Sequence, residues 1–323
     1  MRNKDIEERL SQEIKSTTPD LLDELINELD IRNTTTTIKP RQAHRRSYKP
    51  LLASILAVAM LIVFALVKPP VTKAYAVIDL DVNPSIELSV DKNDKVLNVT
   101  GVNDEGKQIL DDLKLVGTDA YTASNAILGA LVSKGYLTKT ANAVLLSVRS
   151  TGDTKALETK LTEKMSAYLS SVKIATAIFT QNIDNDSLQK YANSKGISLG
   201  KAVLIHQIMS APHNRTSEAS LLKLSTHQLI LLAKEKRVMP EAAYGQADTS
   251  EYITKDKAIE IALKKANVKK TEAKNLMVEF DSEDGRLVYE VEFNHKHKEY
   301  EYDVDAITGK IVTSEVESEE EDD

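Results

Sequence analysis

The chain has 323 residues with a net charge of −7, 41% hydrophobic and 5% aromatic content, no Trp and no Cys. The lack of Cys excludes disulfides, thiolate metal sites and a cysteine nucleophile. The acidic balance argues against direct binding of nucleic acid, and the length allows two or three small domains.

Residues 1–38 carry two short amphipathic patterns. Ile6, Leu10 and Ile14 recur every fourth residue, and Leu21, Leu22, Leu25, Ile26 and Leu29 form a wider stripe. Thr18-Pro19-Asp20 is a helix start, with Thr as N-cap, Pro in the first turn and an acid at the positive end of the dipole. A segment this short buries too little apolar surface to fold alone. These eight apolar residues are therefore predicted to dock, either in a groove of a partner protein or on a membrane surface. Residues 39–50 hold Lys39, Arg41, Arg45, Arg46 and Lys49 with no acid, and read as a basic tether that meets anionic lipid.

Residues 51–67 are uncharged and contain neither Gly nor Pro. As a helix they span roughly 25 Å, near the lower limit for a bilayer. They are expected to form a single transmembrane helix rather than a buried soluble one. Ala74-Tyr75-Ala76 has the small-x-small pattern of a signal-peptidase site, but the long polar segment ahead of the apolar run favours an uncleaved anchor. The cation excess at 39–49 places the N-terminus in the cytoplasm and the C-terminus outside the cell membrane.

Beyond the anchor, Tyr75–Leu80 reads as a strand. Ser85–Val90 and Lys95–Val102 alternate apolar and polar residues about an Asp91–Asp94 turn. Helices are predicted near 105–115, 119–134, 153–171, 184–194, 198–210 and 217–237, with strands at 141–149 and 173–180. The order implies an α+β domain over 74–237, led by a β-hairpin. Residues 238–252 read as a linker. A smaller module over 253–314 follows, with a helix from Thr254 and antiparallel strands near 273–281, 286–294 and 298–305. Residues 315–323, dominated by acids, are expected to stay disordered.

The stretch Asp79-Leu-Asp-Val-Asn-Pro-Ser-Ile-Glu87, with Lys195-Gly-Ile-Ser-Leu-Gly-Lys201 further on, resembles the outer domain of RsgI-type transmembrane anti-sigma factors of Gram-positive bacteria. Residues 253–314, notably 289–294 and 301–312, resemble a PepSY domain, a module associated with peptidase propeptides and with inhibitor or ligand roles. The resemblance implies a sigma factor held at the cytoplasmic side. It also implies self-cleavage between Asn83 and Pro84, after which an intramembrane protease frees the sigma factor. The alternative is a membrane-anchored extracellular binding or peptidase-inhibiting protein that works through the PepSY-like module.

The residues make the cleavage chemically sensible. Pro84 has no N–H, so the usual attack of the following backbone nitrogen on the Asn side chain is closed. Attack by the Asn83 side-chain nitrogen on its own backbone carbonyl remains. Taken alone, an Asn-Pro pair is a turn between strands. Beyond this single-turnover event no enzyme activity is expected, since no phosphate loop, hydrolase elbow or metalloprotease motif is present. No cofactor or metal is predicted. Asp79, Asp81 and Glu87 as a calcium site, and His295 with His297 as a metal pair, are weaker readings without a full ligand set. His206 and His213 flank Pro212 with no acid or nucleophile at a telling spacing.

Overall fold

Strand chemistry sets the start of the fold. β1 (Ala76–Asp81) and β2 (Ser85–Val90) join through a three-residue loop. β3 (Val96–Gly101) follows a tight turn in which Asp91 Oδ1 accepts from the amides of Asn93 and Lys95. The computed structural model describes residues 73–318, apart from 151, 184–185, 213 and 240–241. All of these residues fall in one compact unit that begins at Pro70.

Helix α1 (Asp104–Leu110) is capped by the Asn103 side chain, and α2 (Ala120–Ser133) by Asp119. β4 (Ala143–Ser150), α3 (Lys155–Ser171) and β5 (Ala177–Asn182) form a strand–helix–strand crossover, so β4 and β5 run parallel. Four helices complete this part: α4 (Gln189–Lys195), α5 (Leu199–Met209), α6 (Glu218–Lys223) and α7 (Thr226–Glu235). The region 217–237, predicted as one helix, breaks at Leu224, which is extended. Ser225 and Gln228 then close a capping box that starts α7.

The first sheet has the order β3-β2-β1-β4-β5. Strand β1 is therefore central, antiparallel to β2 on one side and to β4 on the other. One face carries Ile78, Leu80, Ile86, Leu88, Leu146 and Val148, packed against Ile127 and Leu131 of α2 and Leu161 and Met165 of α3. Each such buried side chain contributes ~1.5–3 kcal/mol. The opposite face carries Leu145 and Phe179 under Leu204, Ile205 and Ile208 of α5 and Leu229 and Leu232 of α7.

That second core does not stop at the end of the first domain. It continues into α8 (Lys255–Ala266) and a four-stranded antiparallel sheet β6-β7-β8-β9. The strands are β6 (Lys274–Glu283), β7 (Arg286–Asn294), β8 (Lys298–Asp305) and β9 (Ile311–Ser318). Leu263, Tyr289, Val291, Phe293 and Val304 belong to the same apolar cluster as Leu145 and Phe179. Polar contacts cross the seam as well. Lys236 pairs with Asp281 at 3.1 Å with both side chains nearly buried, and Ser220 Oγ lies 2.8 Å from the Gly285 amide.

The stretch read as a linker is held against the first domain. Tyr244 bridges Ile178 through backbone hydrogen bonds, and the Asn142 side chain donates to Gln246 O and accepts from the Asp248 amide. Strand β9 also takes in Glu315–Ser318, the first part of the acidic stretch expected to be disordered.

The expected transmembrane helix requires a correction. Among the described residues no helix is long and apolar enough to cross a membrane. A span needs about 20 predominantly apolar residues. The longest described helix, α3, has 17 and carries Lys155, Glu158, Lys160, Glu163 and Lys164. The apolar run at 51–67 lies outside the described residues, as do the 1–38 segment and the tether at 39–50.

Candidate functional site

The loop Val82-Asn83-Pro84 connects β1 to β2. Asp81 and Ser85 form the last cross-strand pair, and the Val82 amide donates to Pro84 O at 3.0 Å to close the loop. Asn83 sits at φ 107°, a backbone region that side chains rarely enter. Such a conformation costs on the order of 1–3 kcal/mol and persists only where surrounding structure imposes it. Val82, Pro84 and Ser85 are buried while Asn83 is exposed. The residue after Pro84 is tied down from outside the hairpin. Ser85 O accepts from the Val102 amide at 3.0 Å, and Asn103 Oδ1 accepts from the amides of Gly106 at 3.0 Å and Ser85 at 3.4 Å.

Beside the loop, two carboxyls on β1 face the start of α5. Asp79 Oδ2 accepts from the Gly200 amide at 3.0 Å, and Asp81 Oδ2 accepts from Ser198 Oγ at 2.7 Å. Ser198 is also the N-cap of α5, accepting from the Lys201 amide at 2.9 Å. The close approach requires glycine at 200, because a Cβ there would lie 2.2 Å from Ser147 Oγ and 2.9 Å from Asp81 Oδ2. Burial, reinforced by the charges of Asp81 and Glu87, pushes the Asp79 carboxyl up to about 8, against the Gly200 amide and Arg149. Burial likewise raises Asp81, opposed by the hydroxyls of Ser85 and Ser198 and by Lys201.

The structure thus brings together the two stretches singled out in the sequence, 79–87 and 195–201. It also adds residues the sequence did not flag: Asn103, Ser147 and Gln181, the last donating to Ser147 Oγ at 2.8 Å and Gly200 O at 2.7 Å. No local periodicity marks Ser147 and Gln181, which act through distant partners, whereas Asn103 caps α1 locally and also reaches Ser85. A groove of about 480 Å³ opens next to the carboxyls, lined by Glu87, Arg149, Gln189, Asn193 and Ser198 among others.

The other candidates are placed as follows. Glu87 pairs with Arg149 at 3.7 Å and lies across from Asp79, while both Asp residues point to α5. His295 and His297 fall in the β7–β8 turn, His297 at φ 58°, with His295 Nδ1 3.3 Å from Glu272 O. His206 lies in the last turn of α5, and His213 is outside the described residues. Glu290, Glu292 and Glu301 converge on the second sheet, where Arg215 pairs with the first two. The eight apolar docking residues between Ile6 and Leu29 also lie outside the described residues.

The site is thus a mixed sheet with a central first strand, a strained Asn-Pro loop and a capped helix laid on two buried acids. Residues 75–207 match the family model described as anti-sigma factor RsgI-like central domain, and residues 252–315 match that of the peptidase propeptide and YPEB domain, PepSY. This chain carries both domains in that order. Among curated proteins, it is 25% identical over 164 residues to anti-sigma-I factor RsgI9 of Acetivibrio thermocellus, covering 50% of this chain and 20% of that protein. It is 24% identical over 164 residues to anti-sigma-I factor RsgI of Bacillus subtilis, covering 48% and 42%. Over 60 residues it is 50% identical to an uncharacterized protein of Streptococcus pyogenes, covering 19% of this chain and 46% of that one. The chain thus spans less than half the length of each of these relatives.

Proposed function

We propose that this chain is a membrane-associated anti-sigma factor whose RsgI-like domain cuts itself between Asn83 and Pro84. In this reading residues 1–38 hold a sigma factor on the cytoplasmic side, and the two folded modules stand outside the cell. The names of the relatives support the sigma-factor partner, and the cation bias at 39–49 supports the orientation.

The observation that carries the cleavage is Asn83 at φ 107° immediately before a proline. The side-chain amide is a weak nucleophile, so the reaction depends on orientation and on relief of backbone strain. The bonds from Val102 and Asn103 to Ser85 fix the leaving side.

The sheet order gives the cut a consequence. After scission, residues up to 83 keep β1, which is laddered on both sides. On the order of ten ladder hydrogen bonds hold it at ~1 kcal/mol net each. Burial of Ile78 and Leu80 adds ~1.5–3 kcal/mol apiece. The two fragments therefore stay together until an external pull extracts the strand. An intramembrane protease then acts on the stub and frees the sigma factor.

The test is denaturing electrophoresis of the purified full chain. Wild type is expected to give two fragments that co-purify under native conditions, and Asn83→Ala a single band. A single full-length band for both sinks self-cleavage. Co-purification of the full chain with a sigma factor, lost on removal of residues 1–38, tests the partner. Recovery of none favours the alternative of an extracellular binding protein.

A further inference from the structure

We propose that Asp81 is the positioning acid for scission at Asn83-Pro84, passing its carboxyl proton to the departing Pro84 nitrogen through the hydroxyl of Ser85. This deepens, and rests on, the self-cleavage reading. Asp81 and Ser85 face each other as the last cross-strand pair, one on each side of the three-residue loop that holds the bond. Both are buried, Asp81 completely. Asp81 Oδ2 is engaged by Ser198, while its Oδ1 has no hydrogen-bond partner among the described residues, and neither does Oδ1 of Asp79.

The surroundings favour a retained proton. The groups that face the pair are Asp79 on β1, Ser85 and Glu87 on β2, Ser147 and Arg149 on β4, Gln181 on β5, and Ser198 and Lys201 on α5. Lys201 acts on Asp81 only through its charge, and both cations make their hydrogen bonds and ion pairs with other groups. Lys201 Nζ donates to Leu224 O at 2.9 Å, and Arg149 pairs with Glu87 and donates to Gln189. Two buried carboxyls without a dedicated counter-ion do not both ionise at neutral pH. Burial raises both. A proton is therefore stored one cross-strand pair away from the bond to be broken.

The step balances without any co-reactant. The lone pair of Asn83 Nδ2 forms a bond to the Asn83 backbone carbonyl carbon. The C–N bond to Pro84 breaks, and its electron pair stays on the Pro84 nitrogen. Ser85 Oγ gives its proton to that nitrogen and takes the proton of Asp81. The proton shed by Asn83 Nδ2 restores the Asp81 carboxyl through solvent. The products are a C-terminal succinimide and a free prolyl amine, with no net change in protons.

The experiment follows the cleavage rate of freshly translated full-length chain on denaturing gels across a pH series. Wild type is compared with Asp81→Asn, Asp79→Asn and Ser85→Ala, and folding is checked by circular dichroism. The wild-type rate is expected to fall on the alkaline side as the buried pair loses its proton, since burial raises both carboxyls. Asp81→Asn and Ser85→Ala should slow cleavage at least tenfold. Asp79→Asn should still cleave but with the alkaline fall moved to lower pH, because Asp81 then no longer shares its buried site with a second carboxyl. Wild-type cleavage with an Asp81→Asn rate and pH profile equal to it overturns the inference and leaves self-cleavage standing. Absence of wild-type cleavage at every pH overturns both. If Asp81→Asn does not fold, an unmoved alkaline fall in Asp79→Asn overturns the inference by itself.

Discussion

Gly200→Ala is the sharpest probe of the contact between α5 and β1. The added Cβ would sit 2.2 Å from Ser147 Oγ and 2.9 Å from both Ser147 Cβ and Asp81 Oδ2. Ordinary contact distances for these atoms exceed ~3.4 Å, so helix and strand must separate by more than about 1 Å. Overpacking of this kind costs ~1–3 kcal/mol. The displacement also strains the Gly200 amide bond to Asp79 and the Gln181 bonds to Ser147 and Gly200, and each buried group left unpaired costs ~1–3 kcal/mol. Against this, Ala gains at most ~1 kcal/mol of helix propensity over Gly. The net expectation is a destabilisation of about 2–4 kcal/mol. Urea unfolding of wild type, Gly200→Ala, Ser147→Gly and the double variant gives the magnitude and the coupling. Ser147→Gly removes two of the three close atoms, so the pair should show a coupling energy of ~1 kcal/mol or more. A Gly200→Ala protein as stable as wild type, or strictly additive variants, would refute the reasoning.

Three further outcomes follow from the same geometry. Asp79 is raised above its ordinary value of 3.8 to about 8, so its contribution to stability is fully present below pH 3.8 and lost as the pH rises through about 8. The urea midpoint of wild type should therefore fall as the pH rises from about 4 to about 8, and that of Asp79→Asn should fall less, as chemical denaturation at several pH values will show. Lys236→Ala leaves Asp281 buried without its partner and should cost ~3–5 kcal/mol, unfolding both modules together because they share one core. Ser225→Ala removes the capping box of α7 and should cost ~1 kcal/mol by thermal or urea unfolding.

Much of the local structure is legible in the residues. The alternation at 85–90 and 95–102 marks two strands of a hairpin, and Asp91–Asp94 supplies its turn. The helix from Thr254 and the strands that follow appear with small shifts in their ends. The Asn-Pro pair is legible as a turn between strands, and it does connect β1 to β2. The break at Leu224 was missed because an apolar stripe runs through it, and only the Ser225 cap stops the helix.

By itself, then, the sequence determined most of the elements and the order of the two modules, since periodicity and turn residues are local properties. Tertiary structure alone decided that β1 lies in the middle of its sheet, beside a strand that begins more than sixty residues later. It alone brought Ser198 onto Asp81 across 117 residues of chain and gave Asn83 its strained backbone. It also merged the two modules into one apolar core where a linker was expected. These depend on which surfaces exclude water together, and no local pattern records a pairing between segments so far apart.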